Sequence, residues 1–269
     1  MQHQFEPVAI EDGAYTKDKF LDGQILMLQP AKGRHRTGLD AVYLAASLPE
    51  GTKGHVVDLG TGVGTAAFCA AHRLPDITCT GVDMDDVVLT LAGKSLEQPE
   101  NSHFKDRVKL MKADITAKGQ LRHSQGLVPK MADHVIMNPP YYSNTRFTVT
   151  PQGARATAHA LDDRGVEPWI RTAKDILKPN GTLSVIFRSE DMMPLLKAME
   201  GRFGSIDIIP LYPAPGLPSN RVIVRGICDS KGPVRLLPGF DIHCERGGEF
   251  TEHAKGILRT GLGLTVPAR

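Results

Sequence analysis

The sequence predicts a doubly wound α/β fold on a mostly parallel, seven-stranded sheet whose last strand pair is antiparallel. Two observations carry this. From His55 onward, short β-branched runs alternate with helix-length segments, which is the pattern of βαβ units with helices on both faces of a sheet. The last two strand-like runs are separated only by "PAPGLPSN" (213–220), a proline-rich loop too short for a crossover helix.

The elements follow in order. "HVVDLG" (55–60) is a first strand, and "TAAFCAAHRL" (65–74) a helix that stops before Pro75. "ITCTGVD" (77–83) is a second strand, and "DDVVLTLAGKSLEQ" (85–98) a helix opened by aspartates. "RVKLMKAD" (107–114) and "ADHVIMN" (132–138) are the third and fourth strands. "PWIRTAKDILKPNG" (168–181) reads as a helix with an Asn-Gly stop, "TLSVIFR" (182–188) as a strand and "EDMMPLLKAMEGRF" (190–203) as a helix despite Pro194. "IDIIPLY" (206–212) and "RVIVRGIC" (221–228) complete the seven strands. Residues 1–50 form an N-terminal arm and helix, and 51–269 the α/β domain, the two making one compact unit.

Composition narrows the function. With 32 basic and 30 acidic residues the net charge is +2, which argues against coating nucleic acid by bulk charge but leaves room for a local basic patch. The cysteines (Cys69, Cys79, Cys228, Cys244) lack the close pairing of a zinc ribbon or disulfide framework. The histidines are scattered, so no metal site is expected. The N-terminus has no signal-peptide pattern and no run approaches a membrane span, so a cytoplasmic protein with no membrane partner is expected. No nucleophile elbow or phosphate-binding lysine loop is present, and His159 is read as a structural or substrate-loop residue.

"VVDLGTGVGTAAF" (56–68) lies at the first strand-to-helix turn. Gly60, Gly62 and Gly64 allow a sharp turn and close approach of a ligand. Asp58 is awkward there for a pyrophosphate but suits an ammonium, which favours S-adenosylmethionine over a dinucleotide. Asp83 ends the second strand, where a carboxylate can accept both ribose hydroxyls, and Asp114 ends the third, where it could receive an adenine amino group. Thr61, Met84 and Ile115 complete this cofactor-binding group. The competing reading makes Asp83 and Asp114 ordinary helix caps.

"NPPYY" (138–142) sits at the end of the fourth strand, beside the same crevice. Two prolines stiffen the backbone yet keep their carbonyls as acceptors. The Asn138 amide oxygen and the Pro139 carbonyl could hold both hydrogens of one planar –NH2, with Pro140 as scaffold and Tyr141 stacked on the attached ring. Such acceptors stabilise the positive charge that develops on an attacking amine, with no charged base. Taken alone, Asn-Pro would also fit a plain strand-to-loop turn.

Together, "DLGTGVG", Asp83, "KAD" and "NPPYY" resemble the S-adenosylmethionine-dependent amino-methyltransferases with an Asn-Pro-Pro-Tyr motif, a Rossmann-like class I family. "LDGQILMLQPAKGRHRTGLDAVYLAASLP" (21–49) is similar to the N-terminal segment of the bacterial branch that methylates the 6-amino group of an adenine next to a tRNA anticodon. The resemblance covers roughly residues 20–228 and implies that a segment with Arg36, Gly38, Asp40 and Ala41 closes over the donor, so that Arg36 and Thr37 join the donor contacts with Asn138. It also implies roles for Asp58, Asp83 and Asn138 to Tyr141 matching those argued above.

RNA, and tRNA first, is the expected substrate. Lys32, Arg34, His35 and Arg36, with Arg146, Arg155 and Arg221, could rim the crevice and contact phosphates, with Tyr142 as a second stacking surface. A solvated surface is the plainer reading of these cations. Residues 143–164 are expected to order over the base. A protein glutamine amide, a guanine amine in ribosomal RNA and a binding module without catalysis remain as alternatives; the arm looks too short and too rich in glycine and proline for the helical domain of the glutamine enzymes.

Overall fold

The computed structural model describes residues 4–34, 36–140 and 165–267. The N-terminal segment holds more regular structure than its sequence suggested. β1 (Tyr15–Phe20) and β2 (Ile25–Pro30) pair antiparallel, in register from Tyr15 with Pro30 to Phe20 with Ile25. β1 alternates exposed Lys17 and Lys19 with partly buried neighbours, whereas β2 is buried along its whole length. The free edge of β2 meets side chains instead of a strand. Leu28 N–H donates to Ser95 Oγ at 2.8 Å, and Leu26 N–H to Asn101 Oδ1 at 3.2 Å. Asn101 Nδ2–H returns a bond to the Leu26 carbonyl at 2.7 Å, so buried polar backbone is satisfied. α1 (Leu39–Ala46) follows.

The α/β unit then runs β3 (Gly54–Leu59), α2 (Thr65–Arg73), β4 (Ile77–Asp83), α3 (Asp86–Leu96), β5 (Val108–Lys112), α4 (Gly119–Ser124) and β6 (Ala132–Met137). After it come α5 (Glu167–Ile176), β7 (Leu177–Arg188), α6 (Met192–Met199), β8 (Phe203–Tyr212) and β9 (Arg221–Cys228). The strands lie side by side as β8-β9-β7-β6-β3-β4-β5. β9 runs antiparallel to both β7 and β8, and the remaining neighbours are parallel. Two short strands missing from the sequence reading, β10 (Arg235–Leu236) and β11 (Phe240–Asp241), add parallel pairings to β8. The chain ends its regular structure with α7 (Glu252–Lys255), which continues into a wide turn over Gly256–Thr260.

Adjacent residues of the central strands point to opposite faces, which is what makes the sheet doubly wound. Val56, Ile136, Ile186 and Ile223 pack under α1, α2, α3 and the hairpin. Their neighbours Val57, Val135, Val185 and Val224 pack under α5 and α6. The C-terminal segment joins the first face: the Phe240 ring lies 5.6 Å from that of Tyr43, and Leu264 N–H donates to the Ala46 carbonyl.

Two expected boundaries move. The helix expected through Gly181 stops at Ile176, because Leu177 is already extended and Pro179 disfavours helix at Lys178. Asn180 then takes a φ of 63°, and the β6–β7 register shifts between Ala132 and His134. The helix expected over 190–203 is confined to Met192–Met199. Pro194 is tolerated in its first turn, where the backbone N–H has no helical partner in any case.

The chain winds outward from β3 to β4 to β5 and then returns to β6 on the other side of β3. The strand order therefore reverses between β3 and β6. Beyond the carboxyl ends of strands at such a reversal, open α/β sheets hold their ligands.

Candidate active site

Four strand ends converge there. Asp58 pairs in register with Gly81 of β4 and Ile136 of β6, and Asp83 with Lys112 of β5. Leu59 is level with Met137, so Gly60 and Asn138 leave the sheet side by side.

The glycine turn divides its tasks. Gly60 has φ +73°, and a Cβ there would lie 2.7 Å from the Trp169 ring, so this glycine admits interior packing. Gly62, at φ +55°, faces open space, which leaves its backbone approachable from the crevice. Gly64 precedes α2 as its N-cap.

Asp58 is 2% exposed. One carboxylate oxygen accepts from Thr61 Oγ at 2.6 Å. Burial pushes its pKa from the ordinary 3.8 up to about 7; the bonds from Thr61 and the Ala67 backbone pull it down, and the Asp83 charge adds to the rise. No ion pair to Asp58 is found among the described residues. A cationic group entering here would meet a desolvated carboxylate lacking a protein counter-ion.

Asp83 is in the opposite condition. Its carboxylate accepts from Gly62 N–H at 2.9 Å, Met84 N–H at 2.8 Å and Asp85 N–H at 3.0 Å. It thereby ties the first turn to the second. It does not cap α3; that task belongs to Asp85, which accepts from Val87 N–H at 2.8 Å. Nor does Asp114 cap α4. It accepts from the N–H and hydroxyl of Thr116, both at 2.8 Å, while its own N–H donates to Gln125 Oε1 at 3.0 Å. Next to these acids, Met84 is 54% exposed and Ile115 is buried.

At the end of β6, Pro139 is buried and Asn138 and Pro140 are half-buried. Tyr141, Tyr142, Arg146, Arg155, His159 and the rest of 143–164 lie outside the described residues, as does His35.

Of the cations read from the sequence as a rim, Arg34, Arg36 and Arg221 are engaged within the chain. Arg34 Nε donates to Asp85 at 2.7 Å, Arg36 binds Asp18 at 2.5 Å and Thr16 Oγ at 2.8 Å, and Arg221 Nε donates to Asp40 at 2.9 Å. These pairs draw the segment around 34–40 from the end of β4 across to the start of β9. Thr37 reaches it through its backbone, because its N–H donates to Gln29 Oε1 at 2.7 Å. Gln29, Asp18 and Trp169 went unnoticed in the sequence. The one available signal was a glutamine inside the apolar run "ILMLQP", since a buried amide needs partners.

Among the described residues, no group of three or more His, Cys, Asp or Glu could hold a metal ion, and no helix is long and apolar enough to cross a membrane.

Comparison with known proteins gives the family. The model of the methyltransferase small domain matches residues 36–210. A tRNA1(Val) (adenine(37)-N6)-methyltransferase of Bacteroides thetaiotaomicron is 27% identical over 83% of this chain and 89% of its own length. A protein of the same name from a Shewanella species is 26% identical over 68% of this chain and 74% of its own. A solved structure described as a predicted O-methyltransferase from Agrobacterium tumefaciens superposes with a TM-score of 0.71 at 29% identity, covering 84% of this chain and 98% of the other. With a Rossmann-like sheet whose strand order reverses at a glycine turn and a buried acid, this chain belongs to the methyltransferase small-domain family and is an S-adenosylmethionine-dependent methyltransferase.

Proposed function

We propose that the protein methylates an exocyclic amine, the 6-amino group of an adenine in a tRNA anticodon loop, and that it does so in the cytoplasm. The observation that carries this reading is the adjacency of Asn138 and Gly60 at the strand-order reversal, which sets an Asn-Pro-Pro turn beside the donor turn.

On this reading Asp58, Gly60, Thr61, Gly62 and Gly64 hold the amino-acid end of the donor, Asp83 the ribose, and Met84, Asp114 and Ile115 the adenine. S-adenosylmethionine supplies a methyl group on a sulfonium centre, an already activated leaving group. Asn138 Oδ1 and the Pro139 carbonyl accept the two hydrogens of the target amine and stabilise the positive charge that grows on its nitrogen. The prolines keep those acceptors fixed, which lowers the entropic cost of alignment. Water can take the proton from the methylated amine, so no charged base is assigned. Residues 1–50, through the segment around Arg36 and Thr37, cover the donor. Arg34, His35, Tyr142, Arg146 and Arg221 are assigned to the RNA side, with Tyr141 on the base.

The names of the relatives support tRNA and adenine. The O-methyltransferase description of the structural relative suggests a hydroxyl acceptor instead, but a hydroxyl offers one hydrogen where this turn has two acceptors. Tritiated S-adenosylmethionine, incubated in parallel with bulk tRNA, ribosomal RNA and a protein extract, tests the proposal. Label in tRNA that co-migrates with 6-methyladenosine is expected. Label in guanosine, in protein glutamine or on a hydroxyl would overturn the substrate and leave the methyl transfer standing.

A further inference from the structure

Between β2 and α1 a polar cluster is centred on the buried Gln29, which, with Asp18 and Thr16, has been given no role in the reaction. Gln29 is the last residue but one of β2 and is 2% exposed. Its amide oxygen accepts from Thr37 N–H at 2.7 Å, and its Nε2 donates to the Thr37 carbonyl at 3.4 Å. The same Nε2 donates to Asp18 Oδ2 at 2.7 Å. That carboxylate oxygen also receives Arg36 Nη2, whose partner nitrogen Nη1 donates to Thr16 Oγ and to the Pro30 carbonyl at 3.1 Å. One amide thus grips both backbone polar groups of Thr37, and one carboxylate joins that amide to the Arg36 guanidinium.

The cluster is connected to the donor crevice. Two residues before Arg36, Arg34 is bound to Asp85, whose N–H is itself donated to the Asp83 carboxylate. Three residues after Thr37, Asp40 is bound to Arg221 at the start of β9, which is level with Arg188 at the end of β7. Arg34 and Arg221 are at least a quarter exposed and reach their partners from the surface, where ion pairs are weak and flexible. The Gln29 amide is different in kind: its side chain is 2% exposed and its loss leaves polar backbone of Thr37 without those partners, although the Arg36–Asp18 pair that extends it is as exposed as the other two.

We infer that Gln29, with Asp18, is a positioning residue for the donor site: it fixes Arg36 and Thr37 at the crevice before the donor binds. This rests on the reading above that Arg36 and Thr37 contact the donor. Preorganisation of this sort is felt as donor affinity, because an unpinned segment must be ordered on binding.

The experiment compares Gln29→Met, which keeps volume but removes the amide, with Asp18→Ala on the partly exposed hairpin strand. Asp18→Asn serves as the conservative partner, and Asp83→Ala as control for the donor site. S-adenosylmethionine affinity, KM for donor and for tRNA, kcat and Tm are measured on the full chain. Gln29→Met and Asp18→Ala are expected to raise donor Kd and donor KM about tenfold, with KM for tRNA and kcat changed by less than about twofold. Asp18→Asn is expected to recover part of the loss. If Gln29→Met does not fold, Asp18→Ala alone decides. A lowered Tm with donor Kd unchanged would reduce the cluster to framework and overturn the inference. If Asp83→Ala also leaves donor affinity unchanged, the donor site itself has been misassigned, which is a separate failure.

Discussion

The side of the crevice proposed for the donor and the side proposed for the acceptor are built in different ways. At the ends of β3, β4 and β5 most of the polar groups are met within a few residues, Thr61 bonding Asp58, Met84 and Asp85 bonding Asp83, and Thr116 bonding Asp114, while Gly62 on Asp83 and Arg34 on Asp85 reach from farther along the chain. On the side of β6, β7 and β9 the contacts come from far along the chain, as with Arg221 and Asp40, 181 residues apart. A local turn carries its own geometry wherever it is placed, whereas a long-range pair exists only after the sheet has closed. The turns after β3, β4 and β5 are therefore largely local structures that Gly62 N–H on Asp83 ties together, whereas the pair at the start of β9 is a property of assembly.

The sharpest way to break this comparison is Asn138→Ala. If the two acceptors carry catalysis, kcat should fall roughly 10²–10³-fold while donor affinity stays within about twofold. Single-turnover kinetics beside equilibrium donor binding would read both, and full activity in the variant would remove Asn138 from the mechanism.

The two glycines of one turn offer the next largest contrast. Gly60→Ala must displace the Trp169 ring and hold a positive φ, so a loss of about 3 kcal/mol in denaturant unfolding is expected. Gly62→Ala meets no atom within 4 Å and should cost on the order of 1 kcal/mol, with its main effect on donor binding. Equal losses of stability would mean that both positions serve packing.

Asp58 sharpens the donor half through pH. Its folded pKa of about 7 lies above the ordinary 3.8, so the native state holds a proton that the unfolded chain has released. Its contribution to stability is thus fully present below about pH 4 and is lost as pH rises through 7. Donor affinity should move the other way, rising up to about tenfold per pH unit below 7 and then levelling, because an ammonium needs the ionised carboxylate. Calorimetric titration of donor from pH 5.5 to 8.5 (a range chosen about that midpoint) would show it. Asp58→Asn should flatten the profile, and a profile unchanged by that substitution would place the titrating group elsewhere.

The smallest effect belongs to the acceptor side. Arg221→Ala removes a half-buried pair and should cost about 1 kcal/mol or less in stability. If Arg221 also contacts a phosphate, RNA affinity would weaken and its salt slope would fall by about one. A stability change without a change in salt slope would make it a clamp on α1 alone.

Much of the fold was legible because its signals are short-ranged. Short apolar, β-branched runs separated by helix-length segments marked the seven long strands, and the proline-rich loop at 213–220 fixed where an antiparallel strand enters. The glycine turn and the acids at the strand ends, Asp58, Asp83 and Asp114, were also visible, since the ends of β strands are marked by a change in composition. The N-terminal hairpin was not. β2 lies ahead of the strand-and-helix alternation that begins at His55, and its edge is completed by Ser95 and Asn101, more than 60 positions away. The role of Asp85 rather than Asp83 as a cap was also hidden, because three of four residues from 83 to 86 are acidic and sequence cannot say which carboxylate turns back onto the helix.

By itself, then, the sequence determined the alternation of elements, the glycine turn after the first of the seven strands and the Asn-Pro-Pro turn after the fourth, each read from residues close together in the chain. Tertiary structure alone decided that Arg34, Arg36 and Arg221 pair with Asp85, Asp18 and Asp40, that Trp169 closes on Gly60, and that a buried glutamine holds Thr37. The physical reason is that charge and hydrogen-bonding capacity are written in the residue, but the partner that satisfies them is chosen only when distant segments are packed together and water is removed.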